Sequence, residues 1–119
     1  MKYLCLIYDD EAVWAGMSEA AIGAAMAEHE SFTSATRAKG QYVSGEALQP
    51  VATATIVRVR NGKTTTTDGP LVETKEQLGG FYLIDATDLN EAIAVAAKIP
   101  EARTGTIEVR PVMDFSQQP

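Results

Sequence analysis

The sequence predicts a mixed α+β domain in which a β-hairpin is inserted between two strand–helix–strand units. Three observations carry this. Two apolar, β-prone runs (residues 2–8 and 81–85) are each followed by a capped, Ala-rich helical stretch (19–39 and 89–98). Asn61-Gly62, flanked by β-prone arms, is a strong two-residue hairpin signal. Ile, Val, Leu and Phe occur on both sides of several strands, so the sheet face turned away from the helices must also meet something. Face-to-face pairing with a second copy is the simple solution.

Residues 2–8 mix aromatic and aliphatic types over a strand's length and stop at Asp9-Asp10-Glu11. Residues 12–17 read as a connection. Ser18 is a good N-cap, Glu19 meets the positive helix end, and Gly40 terminates the long helix. At about 100° per residue, Ile22, Met26, His29, Thr33 and Thr36 share one stripe of that helix. The stripe starts apolar and turns polar from His29 onward.

A short strand at 41–46 follows, Pro50 marks a turn, and the hairpin arms span 53–60 and 63–67. The second arm, Lys63 followed by four threonines, is polar on both faces, as in an edge strand or the wall of a wet cavity. Residues 68–78 form an unusually long connection, in which Thr74 and Gln77 have capping-box spacing and predict one helical turn at 75–78. Gly79-Gly80 opens the strand Phe81–Asp85. Asp88 and Glu91 cap the second helix, whose inward side reads as Leu89, Ile93 and Ala96, and Pro100 stops it. A last strand spans 105–112, so that one domain covers 1–115 and a loose tail covers 116–119. This order is a ferredoxin-like split βαβ plan with an inserted hairpin.

The composition bounds the function. At 119 residues the chain is one domain's length, with 45% apolar and 22% charged residues. A net charge of −6, with the ten Lys and Arg scattered along the chain, argues against nucleic acid as a partner. The short apolar run at the N-terminus reads as a strand rather than a signal peptide, and no apolar stretch has the length of a membrane span, so a cytoplasmic protein is expected, with no membrane partner. Cys5 is the single cysteine; within its apolar run it reads as a core residue rather than a catalytic thiol. One His and one Cys do not make a conventional zinc site, an oxygen-ligand site built from Asp and Glu stays open, and no metal or cofactor is expected.

His29, the only histidine, is the side chain best suited to proton transfer near neutral pH. Its bland reading is a satisfied core histidine. Asp68, in Asp68-Gly69-Pro70, reads either as turn chemistry or as a carboxylate partner for His29. Glu46 and Glu73 could complete a polar pocket, and Tyr82 could add a hydroxyl; for each charge a solvated surface is the default.

The stretch Thr67-Asp68-Gly69-Pro70-Leu71-Val72-Glu73-Thr74-Lys75-Glu76-Gln77-Leu78-Gly79-Gly80-Phe81-Tyr82-Leu83-Ile84 resembles the signature of the DGPF proteins of the YCII-related superfamily, with Leu71 where Phe usually stands. The opening Met1-Lys2-Tyr3, the segment Gly45 to Pro50, the run Ala52 to Thr55 and Val109-Arg110-Pro111 extend the resemblance over nearly the whole chain. It implies a dimeric α/β-barrel of ferredoxin-like subunits, a homodimer of bacterial type, often encoded beside extracytoplasmic-function sigma factors. It further implies an acid–base pair matched by His29 and Asp68, and activities of the dehydrochlorinase or lactone-isomerase kind. Two readings follow: a small-molecule lyase or isomerase, or a non-catalytic ligand-binding or regulatory module acting with a sigma factor. A scaffold without a small-molecule site is the bland third.

Overall fold

In the computed structural model, which describes residues 1–117, the strands are β1 (Lys2–Asp9), β2 (Tyr42–Ala47), β3 (Thr55–Arg60), β4 (Lys63–Asp68), β5 (Gln77–Asp85) and β6 (Thr106–Pro111). The helices are α1 (Glu11–Ala15), α2 (Glu19–Ala38) and α3 (Leu89–Ala96), with 3-10 turns at Val51–Thr53, Pro100–Ala102 and Phe115–Gln117. Four strands form an antiparallel sheet in the order β2-β5-β1-β6, and β3-β4 form a separate two-stranded sheet. With the hairpin set aside, that order is the one a ferredoxin-like fold requires.

Strand β1 shows the period-2 logic of the sheet. Tyr3, Cys5 and Ile7 are buried under the helices, with Tyr82, Ile84, Ala92, Val95, Ala96 and Ile99. Leu4 and Leu6 point the other way and are only half-buried, as are their cross-strand partners Leu83 and Phe81. The second face is thus a half-covered apolar surface, as the doubled apolar pattern predicts.

Ser18 and Asp88 cap α2 and α3 by accepting from the amides of Ala21 and Glu91. Four expectations fail locally. Residues 12–17 are not a plain connection: Asp10 accepts from Ala12 N–H and starts α1. No helical turn forms at 75–78, because Gln77 and Leu78 already pair with Asp9 and Tyr8 in β5. On α2 the covered positions include Phe32 and Thr36, while Met26 is exposed. On α3 the expected Ala96 is buried, together with Ala92 and Val95, while Leu89 and Ile93 are exposed. Of the expected tail, Ser116 and Gln117 belong to a 3-10 turn and the rest lies outside the described residues.

The hairpin turns through Asn61 and Gly62, both at positive φ (51° and 74°), the type I′ geometry that this dipeptide favours. Beyond that turn the hairpin is an arm. Every side chain from Val57 to Asp68 is exposed, and among the described residues no hydrogen bond from Thr55–Thr67 reaches another element. The molecule measures 52 × 47 × 19 Å, and its radius of gyration of 16.6 Å exceeds the roughly 13.5 Å of a compact chain this long.

Cys5 is fully buried at the centre of β1, and desolvation pushes its thiol up to about 11 from the ordinary 9.0. Above pH 9 the unfolded chain gives up this proton while the fold retains it. Stability is therefore full below about pH 9 and falls as pH rises toward 11, by about 3 kcal/mol for this group. Denaturant melts at pH 8 and pH 11 should show that extra loss in the wild type relative to Cys5→Ala; equal losses in the two proteins would refute it.

Candidate functional site

His29 sits in the middle of α2 on the side facing β5. Its ring bridges two elements: Nδ1 lies 2.7 Å from the Tyr82 hydroxyl, and Nε2 lies 2.8 Å from Oε2 of Glu101. Tyr82 is carried by β5 and held by aromatic neighbours, with Phe32 and Tyr42 ring centroids at 4.8 and 6.2 Å. Glu101 is carried by the 3-10 turn that follows α3. Its side chain is only 7% exposed, whereas that of His29 is 26% exposed. The three residues come from the long helix, a central strand and the second crossover, so only the assembled fold creates the site.

The bonding defines proton positions. An ionised Glu101 can only accept, so Nε2 of His29 carries a hydrogen. Burial pushes the Tyr82 hydroxyl above its ordinary range, and the nearby Glu101 and Tyr42 add to this against a lowering hydrogen bond from Thr33. Tyr82 therefore keeps its proton, and in the tautomer that carries its hydrogen on Nε2 the hydroxyl donates to Nδ1 of His29. The second carboxylate oxygen, Oε1 of Glu101, is buried without a partner among the described residues. The result is a Tyr–His–Glu relay in which a carboxylate fixes the imidazole tautomer, the arrangement general acid–base sites use.

His29 and Tyr82 are thus brought together. Asp68 is not bonded to His29: it ends β4 opposite Thr55, exposed at the base of the arm, and both His29 nitrogens are taken. Glu46 is exposed on β2 opposite Phe81, and Glu73 is exposed in the 69–76 loop. Glu101 is the residue that sequence reasoning missed. It follows the helix-stopping Pro100, where a carboxylate reads as solvated surface, and no local signal reveals its burial. Among the described residues no group of three or more His, Cys, Asp or Glu side chains could hold a metal ion. No helix among them is long and apolar enough to cross a membrane.

A broad, open cleft lies elsewhere. It encloses about 1530 Å³ at the end of the sheet where β1 finishes and β5 and β6 begin. The 70–78 loop and the base of the arm wall it, together with Tyr8, Val13 and Leu48. His29 does not line it.

Residues 1–116 match the YCII-related domain family. The chain belongs to the YCII-related family. An uncharacterized protein of Rhizobium meliloti (strain 1021) is similar to this YCII-related chain, 37% identical over 114 residues that cover 94% of this chain and 92% of that protein. The match spans both the His29 relay and the cleft.

Proposed function

We propose that this YCII-related protein is a small-molecule enzyme of lyase or isomerase type in which His29 transfers the proton. The observation that carries the reading is the ring of His29 held between Tyr82 and the buried Glu101. Eliminations and isomerisations of small cyclic or aromatic compounds need a proton removed and returned, and an oriented imidazole supplies both steps. In this reading Glu101 takes the orienting role first assigned to Asp68. A substrate takes the place of the Tyr82 hydroxyl at Nδ1, where the ring removes and returns its proton while Glu101 holds Nε2. Asp68, Glu46 and Glu73 remain polar groups at the rim of the arm, the sheet edge and the loop.

The test is a panel of small lactones and halogenated cyclic acids. The wild type should turn over at least one, and His29→Gln, whose amide nitrogen takes the place of Nε2 and can still donate to Glu101, should lose about 100-fold or more. Equal turnover by both folded proteins would overturn the assignment.

A second reading, a non-catalytic ligand-binding or regulatory module that could serve a sigma factor, is favoured by the cleft's separation from His29. We also infer a homodimer, supported by the apolar sheet face of Leu4, Leu6, Phe81 and Leu83 that no helix covers. Asp68-Gly69-Pro70 and its flanks support a place in the DGPF branch of the family.

A further inference from the structure

The arm carries a charge pattern that the linear sequence conceals. Strand alternation puts Arg58, Arg60 and, through the turn pairing Arg60 with Lys63, the Lys63 ammonium on one face. Residues 55–67 hold three of the ten cations and none of the sixteen carboxylates, so the rest of the chain sets sixteen carboxylates against seven cations. Among the described residues none of the three cations has an ion-pair partner. The opposite face leaves Val57 and Val59 60% and 57% exposed, an unfavourable state for two adjacent β-branched side chains on a ribbon with no second layer.

The complementary surface is the cleft. Asp9, Asp10, Glu76 and Glu108 line it against one cation, Lys75. Their hydrogen bonds come from hydroxyl and N–H groups: Trp14 and Thr104 to Asp9, Ala12 to Asp10, Thr106 to Glu76, Tyr8 to Glu108. None is neutralised by a cation among the described residues. The arm's cationic side chains stand roughly 10–20 Å out along the ribbon from its base, and among the described residues none forms an ion pair with a carboxylate of its own cleft.

We propose that the arm is exchanged between two copies of this chain. The Arg58, Arg60 and Lys63 face of each seats on the carboxylate-lined cleft of the other, so that each cleft is walled by both chains. This rests on the homodimer inferred above and makes the cleft complete only in that homodimer. The occupant is a second copy because charge of the right sign and the cleft that lacks it lie on the same polypeptide.

Sedimentation equilibrium of the full chain tests this. Arg58→Glu/Arg60→Glu should fold normally by circular dichroism, because the arm supports no other element, yet dimerise about tenfold or more weakly than wild type. Glu76→Lys/Glu108→Lys should be weakened likewise. An equimolar mixture of the two variants should regain affinity as a heterodimer. A wild type that stays monomeric at about 100 µM would remove the homodimer and the exchange together. Dimers of unchanged affinity in both variants would remove the exchange alone, as would a mixture no tighter than its components. Unchanged dimers combined with loss of single-stranded oligonucleotide binding in the arm variant would assign the arm to nucleic acid and overturn the proposal.

Discussion

Replacing Gly105 by alanine is expected to lower the melting temperature by about 12 °C or more, through a loss of about 3 kcal/mol. A Cβ at this position would lie 2.1 Å from the Tyr8 carbonyl oxygen and 3.2 Å from the Asp9 Cα. Both are backbone atoms of a central strand, so neither can swing aside as a flexible side chain would. The glycine lets the chain pass close to the end of β1 before entering β6. Its N–H also donates to the Glu101 carbonyl over 2.7 Å, so a displaced Gly105 would disturb the turn that carries Glu101. The loss should therefore appear both as a lower melting temperature and as a changed His29 ring signal in proton NMR. A melting temperature within about 2 °C of wild type would show that the segment relaxes freely and would refute the argument.

The second large effect concerns the relay. His29→Leu should cost about 3 kcal/mol at neutral pH, because it leaves the buried Glu101 carboxylate without its partner while Oε1 is already unpaired. The double variant His29→Leu/Glu101→Leu should recover at least half of that loss, since it removes the stranded charge and adds apolar volume. Denaturant titration of the wild type, both single variants and the double variant measures the coupling. A double variant no more stable than His29→Leu would show that the two side chains do not depend on each other. The stability cycle and the turnover assay with His29→Gln address different claims: the first measures what the bridge contributes to folding, the second whether its proton is used.

The cases where local reading succeeded share a cause. Asn61-Gly62 adopts positive φ at both residues, and Ser18 and Asp88 cap their helices, because each of these outcomes depends on a few neighbouring atoms. Residues 2–8 form β1 with Cys5 in the core for the same reason: a β-prone apolar run of that length is a local property. Local reading failed where distance along the chain mattered. Thr74 and Gln77 have the spacing of a helix start, but the hydrogen bonds that β1 offers to Gln77 and Leu78 extend β5 instead. Helix α3 buries Ala92 and Val95 beside the expected Ala96 and leaves Leu89 and Ile93 exposed, a choice of face made by the packing partner and not by the helix alone.

By itself the sequence determined the order of the strands and of the two longer helices, the inserted hairpin, the doubly apolar sheet and the buried cysteine. Each of these is written in residue types and short spacings. Only the tertiary structure decided the partners of His29, Glu101 among them 72 residues away, and only it gathered three scattered cations on one face of an arm while setting the carboxylates around a cleft. The physical reason is that hydrogen bonding and charge act through space. Chain separation carries no information about them until the backbone has folded.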